Sequence, residues 1–409
     1  MSVTRPNKMI YFFVMLVTLG ISVQVFAERF PLLPAPFATK STPKPSTVIG
    51  WPVDRTPIPA AGFKVSEFTS MESPRSLYRL PSGDVLVSQA KKTPMDNGEN
   101  SPNQIMLLKI NNGKLVGTSV FLSGLHLPFG MAVLKDQFFV GEPTRILKYK
   151  YKNGEIVGEG KVIAELPFPK PQRHWTRHLL INPQGTKLYV SIGSVSNVGE
   201  NNDPLDARTA AILEMNLDGT QQKIYASGLR NAVSMAWEPR TKELWTTVNE
   251  RDELGDGLVP DYITAVHRGE FYGWPYAYWG KHEDPRRAGE RPDLVAKSMT
   301  PYFSVGTHTA SLGITFTIQT SMPATYNEGA LIAQHGSWNH SELVGYAVRY
   351  VTFKNGKPID EESDFLTGFI ADRESAKVYG RPVATVILAD GSVLVSDDGG
   401  GKIWRVYKD

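Results

Sequence analysis

Cations, amides and acids gather in one stretch of this chain. Ser227-Gly-Leu-Arg-Asn231 is followed by Asn249-Glu-Arg-Asp-Glu-Leu-Gly-Asp256 and then by Glu270-Phe-Tyr-Gly-Trp-Pro275. Arg230 and Asn231 directly precede an apolar, strand-forming run from Val233 to Trp237. A guanidinium and an amide in that position can bind a carboxylate or polarise a carbonyl; a salt bridge to a neighbouring loop is the plainer alternative. His174 is placed in the same way, in Arg173-His-Trp-Thr-Arg177 ahead of a strand that starts at Leu179. An imidazole titrates near neutrality, so it can take a proton from a hydroxyl, or it can serve only as a hydrogen-bonded loop residue. Arg381 repeats the placement in Tyr379-Gly-Arg-Pro382. If these strands begin at one central channel, the three groups converge, and an anionic, planar polycarboxylate would suit them.

Two further segments carry groups of interest. The loop from Asn249 to Asp261 holds Glu250, Asp252, Glu253, Asp256 and Asp261. Clustered oxygens fit a hard cation such as calcium, although acidic loops are also commonly just solvated. In Gly336-Ser-Trp-Asn-His340, Trp338 could be a stacking platform for a planar ligand or could pack between structural units. His178 lies four residues after His174, a zinc-like spacing on a helix, but here it falls at the start of a strand.

The elements that must position these groups are strands. Apolar strand, polar turn and second β-rich strand recur with turns at Gly83, Asp136, Gly185, Thr241, Glu328 and Gly391, separated by 53, 49, 56, 87 and 63 residues. A period near fifty with alternating strands predicts an all-β, six-bladed β-propeller of four-stranded antiparallel blades. The longer spacings predict insertions at about 251–312 and 337–380. A β-sandwich pair is the alternative architecture. The last strand, Lys402 to Tyr407, can pair with the opposite end of the propeller to close the ring, and the sequence does not say with which strand.

Ahead of the propeller, which the repeats place at 62–409, residues 28–61 contain eight prolines and read as an extended linker or a surface-hugging arm. Residues 1–27 read as an export signal: Arg5 and Lys8, an apolar run from Met9 to about Val23, and Val25-Phe-Ala27 as the cleavage site. An uncleaved membrane anchor is the alternative. Either way the folded part lies outside the cytoplasm, most simply in a periplasm. Removing Arg5 and Lys8 with the leader lowers the formal charge from +3 to +1, which gives no argument for a nucleic-acid partner. The chain has no cysteine, which excludes thiolate metal sites, a thiol nucleophile and disulfides. No glycine-rich loop opens a βα unit, so a nicotinamide cofactor is not indicated.

In their order, His174-Trp-Thr-Arg177, Gly228-Leu-Arg-Asn231, Asn249-Glu-Arg-Asp252, Pro260-Asp-Tyr262, Tyr272-Gly-Trp-Pro275, His335-Gly-Ser-Trp-Asn339 and Gly380-Arg-Pro382 resemble the soluble, six-bladed sugar dehydrogenases that depend on pyrroloquinoline quinone (PQQ), the glucose and sorbosone dehydrogenase type. The resemblance implies an enzyme that oxidises a sugar or sugar-derived aldehyde by hydride transfer to calcium-bound PQQ and passes electrons to a cytochrome or quinone. It implies that His174 is the general base, that Arg230 and Asn231 hold the quinone oxygens, and that Arg381 pairs with a PQQ carboxylate. Trp338 and Asn339 would contact the cofactor, and backbone carbonyls around Arg251 and Asp252 would hold calcium. The chain departs from the pattern at Arg173, where an acidic residue is usual, and at His340, where an arginine is usual. A glutamine that contacts PQQ in those enzymes has no counterpart near Leu125-His-Leu-Pro128. Two other readings stay open: a calcium-dependent sugar lactonase of six blades, and a non-catalytic glycan-binding propeller.

Overall fold

The computed structural model describes Met1 and residues 31–92, 98–168, 174–200, 206–359 and 362–409. The apolar leader and Arg173 lie outside the described residues. The six turns expected from the repeats all join the first and second strands of a sheet. The second strands, such as Val85–Gln89, Leu244–Val248, Gly329–Gln334 and Val393–Asp397, are buried along their whole length. A strand covered by a neighbouring sheet on each face needs apolar residues on both, which is why these segments read as continuous apolar runs.

The inner strands are Pro74–Arg79, Met131–Leu134, Leu179–Ile181, Ala232–Trp237, Ser311–Phe316 and Pro382–Ile387. Each contacts the inner strand of the next sheet, and the sixth contacts the first. The fold is therefore a closed, all-β propeller of six blades, each built on four antiparallel strands from the channel outward, with Ile58–Pro59 and Lys357–Pro358 adding to blade five. In the sixth blade the outermost strand is Phe63–Ser70, paired antiparallel with Lys402–Lys408. This tie between the two ends of the propeller is the closure that the sequence left undetermined.

Blades four and five differ from the insertions expected at 251–312 and 337–380. Pro260–Val266 and Phe303–Thr307 are the third and fourth strands of blade four, and Ala347–Lys354 and Ser363–Thr367 are those of blade five. The real excursions are 267–302, which holds a short hairpin and the helix Pro292–Lys297, and 368–379, which holds the hairpin Ile370–Asp372 with Lys377–Val378. Pro260–Val266 is buried on both faces and shows no alternation, so it carries no period-two signal. Among the described residues no helix is long and apolar enough to cross a membrane.

Blade-to-blade packing is aromatic. Trp245 of blade four sits wholly buried, with its ring 5.0 Å from that of Phe353 and 6.4 Å from that of Phe316, both of blade five. Removing such a ring costs the lost burial plus the cavity left behind. Trp245→Ala is expected to lower unfolding free energy by about 3–5 kcal/mol, measured by chemical denaturation. The surface change Val120→Ala on blade one should be near neutral.

Candidate active site

Phe129, Val233, Leu312 and Val383 close the central channel with an apolar plug. Above it lies a cavity of about 900 Å³. His174, Arg230, Asn231, Asp252, Trp338 and Arg381 all line it. Its wall is built from one recurring place in the fold, the open end of each inner hairpin. There the chain enters the inner strand (Arg381, Ala310) or has just left the second one (His335, Asp398). Four lining residues, Ser73, Glu253, His308 and Ala310, adopt left-handed backbone angles with φ of 45°, 75°, 56° and 51°, conformations that non-glycine residues seldom take.

Arg230 is buried at the junction of blades three and four. Its Nη1 donates to the Glu250 carbonyl, its Nε to the Asn197 carbonyl at 3.2 Å, and its Nη2 to Asn197 Oδ1 at 3.0 Å. The Asp252 carboxylate lies 3.2 Å from the same Nη2. Asn197 also accepts from the Asp252 amide at 2.9 Å and donates from Nδ2 to the Asp252 carbonyl at 3.1 Å. Trp274 donates its indole N–H to the Asn197 carbonyl at 2.9 Å. The turn at Gly273-Trp-Pro275 thus braces the site from outside. Asn231 Oδ1 is buried with no hydrogen-bond partner.

His174 presents a defined tautomer. Its Nδ1 lies 2.9 Å from the Ser194 carbonyl, which can only accept, so Nδ1 carries the proton and Nε2 the lone pair. Burial, with Arg230 nearby, pushes its pKa down to about 3, so the ring is neutral at physiological pH. Gly193 makes the arrangement possible. A Cβ there would stand 2.4 Å from Asn231 Oδ1 and 2.5 Å from His174 Cβ. Arg177 supports the loop from beneath, donating to the carbonyls of His174, Thr176 and Pro167.

The opposite wall holds a second charged group that the sequence reading did not single out. Arg75 pairs with Asp398, and His335 Nε2 lies 2.8 Å from the other oxygen of that carboxylate. The Arg75 guanidinium also stacks 5.1 Å from the Trp175 ring centre, and its Nε is buried without a partner. Burial acts to raise Asp398, but His335 and Arg75 overcome it and hold the carboxyl well below its usual range. Arg381 beside them donates from Nε and Nη2 to the carbonyls of His335 and Gly336, each at 2.9 Å. Trp338 is 45% exposed at the rim.

The residues expected at calcium sit differently. The Arg251 side chain turns away from the cavity, fully buried, onto Glu250 at 3.0 Å, Asp284 at 3.2 Å and the Ala277 carbonyl at 2.7 Å. The Asp252 carbonyl accepts from Arg286 at 2.8 Å as well as from Asn197. His308 Nδ1 lies 3.4 Å from the Asp252 carboxylate, and Asn339 is buried beside it. Among the described residues no group of three or more His, Asp and Glu side chains is set to hold a metal. Glu250 Oε2 and the Asp252 oxygens are engaged by guanidinium, imidazole and amide donors, whereas Glu250 Oε1 is buried with no hydrogen-bond partner.

Arg75, Ser194, Asn197, His308 and Asp398 were not singled out from the sequence: Arg75 and His308 lie at the start of an inner strand without a motif around them, and Ser194, Asn197 and Asp398 follow second strands. The signal that finds most of them is the other half of the same hairpin, the residues that follow the second strand.

The fold and this channel-mouth cavity define the class. The profile of the family described as glucose / sorbosone dehydrogenase matches residues 135–405, and the chain belongs to that family. An uncharacterized protein of Borreliella burgdorferi is 29% identical over 360 residues, covering 85% of this chain and 89% of that one. The aldose sugar dehydrogenase YliI of Escherichia coli is 33% identical over 86 residues, 21% of this chain and 22% of that one. Among solved structures, the holo form of the pyranose dehydrogenase PQQ domain from Coprinopsis cinerea superposes with a TM-score of 0.72 at 18% identity, covering 87% of this chain and 98% of that one. The soluble aldose sugar dehydrogenase of Escherichia coli in its apo form gives 0.61 at 16% identity, over 85% and 100%. At such identities the structural likeness is one of fold.

Burial sets the acid sensitivity of this region. It pushes His178 and His335 down to about 4, with Arg381 adding to the effect on His335, and His174 lower still. Each ring binds a proton near pH 6.5 when unfolded but not when folded. Their stabilisation is therefore present above that pH and lost as pH falls through about 4. Asp261, raised by burial to about 6, acts with the opposite sign: its contribution is present in acid and lost as pH rises through about 6. The variant His178→Phe is expected to lose less thermal stability than the parent between pH 6.5 and 4.5. Parallel Tm-versus-pH curves for the two would contradict this.

Proposed function

We propose that this protein is a PQQ-dependent sugar dehydrogenase that works outside the cytoplasm and hands its electrons to a cytochrome or quinone. The observation that carries the reading is the convergence of a neutral, tautomer-fixed His174 with three guanidinium groups, those of Arg75, Arg230 and Arg381, on one cavity. A flat tricarboxylate is the kind of ligand that such a ring of cations takes up. Asn231 Oδ1 and Arg75 Nε, on cavity-lining residues, are buried without a hydrogen-bond partner. Membership of the glucose / sorbosone dehydrogenase family supports the same reading.

When bound, PQQ supplies the hydride acceptor. The chain's own part is positional and acid–base. His174 Nε2 takes the proton of the sugar hydroxyl, and the Ser194 carbonyl keeps the ring in the tautomer that can do so. Arg230, held by Asn197 and Glu250, offers a fixed positive charge to oxygens that gain negative charge. Arg75 and Arg381 on the opposite wall would hold the carboxylates of the cofactor. Trp338 at the rim presents a ring face that can pack on a planar ligand. No step is routed through calcium here. Its requirement is decided by comparing binding with the metal and with a chelator. The apolar segment before residue 28 is the export signal in this reading, with a retained membrane anchor as the other form.

Calorimetric titration of the purified protein with PQQ should give micromolar or tighter binding, and no binding with or without calcium would overturn the proposal. His174→Gln should keep PQQ affinity within about threefold while slowing dye-linked sugar oxidation by about 100-fold or more. Arg381→Ala should instead weaken PQQ binding by about 10-fold or more.

A further inference from the structure

The proline-rich segment ahead of the first propeller strand is laid against the rim of the cavity at three successive points. At the first, the Phe37 amide donates to the Leu254 carbonyl, the Gly255 amide to Ser41 Oγ at 3.1 Å, and the Asp256 amide to Thr39 Oγ1 at 2.8 Å. That loop carries Asp252 and Glu253, which line the cavity. At the second, the Lys44 amide donates to the Trp338 carbonyl at 2.7 Å, and Pro43 is bridged to Asn339. At the third, Thr47–Val48 pairs in parallel with Lys377–Val378, Val48 itself lines the cavity, and Trp51 follows.

Trp51 is inserted among Phe369, Tyr379 and Trp404, with ring centres 5.3, 5.1 and 5.0 Å away. Its indole N–H donates to Asp397 Oδ2 at 2.7 Å. The other oxygen of this buried carboxylate accepts from the amides of Arg381 at 2.6 Å and Gly400 at 2.8 Å. Arg381 in turn holds the carbonyls of His335 and Gly336, just before Trp338. Gly400 is bare where the strap crosses it, since a Cβ there would meet Trp51 Cδ1 at 2.6 Å. The three rim loops touched by the segment follow the second strand of blade four, the second strand of blade five and the outer strand of blade five on the way to blade six, and among the described residues no regular strand pairing joins one to another.

A flexible spacer would not make side-chain and main-chain bonds at each loop in turn. Prolines lower the conformational freedom of the free segment, which lessens the entropy lost when it lies down. We propose that residues 37–51 are a positioning strap for the cofactor cradle, with Trp51 and Thr39 as its working residues. The strap sets the mutual placement of Asp252, Trp338 and Arg381, and through Asp397 it fixes the backbone from which Arg381 reaches the cavity. The effect on cofactor rests on the quinoprotein reading above, whereas the effect on the loops does not.

The test uses the full chain with single substitutions, and two readouts. Trp51→Phe keeps an aromatic ring among Phe369, Tyr379 and Trp404 while removing the shorter of the two indole donors to Asp397 Oδ2, the other being Trp404 at 3.2 Å, and Thr39→Val removes the hydroxyl that receives the Asp256 amide. Val53→Ala, at an exposed position of the same segment, is the control. In ligand-free protein, hydrogen–deuterium exchange should quicken at 379–381 and 335–340 in Trp51→Phe and at 252–257 in Thr39→Val, with the blade strands unchanged. PQQ dissociation constants should rise by about 5- to 10-fold for Trp51→Phe, the scale of one lost hydrogen bond to a buried carboxylate, while Val53→Ala matches the parent. Unchanged exchange at these loops in both variants overturns the strap. Changed exchange with unchanged PQQ affinity overturns its link to the cofactor. If Trp51→Phe does not fold, Thr39→Val decides by the same criteria. A parent protein that binds no PQQ removes the quinoprotein reading, and the exchange comparison then decides the strap alone.

Discussion

A guanidinium buried beside a cavity is the constraint around which this site is organised. Removing the Arg230 charge from water costs several kcal/mol unless its donors are met and a counter-charge stands close. Here they are met by Asn197, Glu250 and Asp252, which belong to loops of two different blades. Satisfying one cation therefore fixes how blades three and four present their loops to each other. The demand continues outward. Glu250 and Asp284 are themselves buried and are balanced by Arg251 and Arg286, so the 267–302 excursion supplies the partners that let acids lie beneath the site.

The two walls of the cavity solve the same problem differently. On the side of blades three and four, main-chain carbonyls and amides take up the charge, leaving a compact, preorganised lattice around Arg230. On the side of blades five, six and one, Arg75 and Asp398 neutralise each other, and Arg381 is tied to backbone carbonyls. Between them His174 and His335 stay neutral because burial and neighbouring cations both oppose their charging. A cavity with basic nitrogens that are uncharged and guanidiniums that cannot lose their charge suits a ligand that brings its own negative charge and a substrate that must give up a proton. The strap across the rim adds order where the sheets cannot, since among the described residues no regular strand pairing joins the loops it touches.

The ring of blades was legible because each inner hairpin repeats a buried strand, a turn and a second buried strand about every fifty residues, and that pattern follows from local packing against the neighbouring sheets. His174, Arg230, Asn231 and Arg381 were legible for the same reason: a residue just before an inner strand must lie at the channel mouth whatever its neighbours are. The outer strands of blades four and five were not, since Pro260–Val266 is buried on both faces and looks like no alternating strand. Nor did the sequence show that Arg251, one residue from the cavity-lining Asp252, turns inward to Asp284. Contacts between residues far apart in the chain decided the rest: Phe63–Ser70 closing on Lys402–Lys408, Arg75 finding Asp398, and Trp51 finding Asp397. Spacing along the chain constrains which residues reach the channel, but which of them neutralise, orient or strap one another depends on distances that exist only once six blades have closed into a ring.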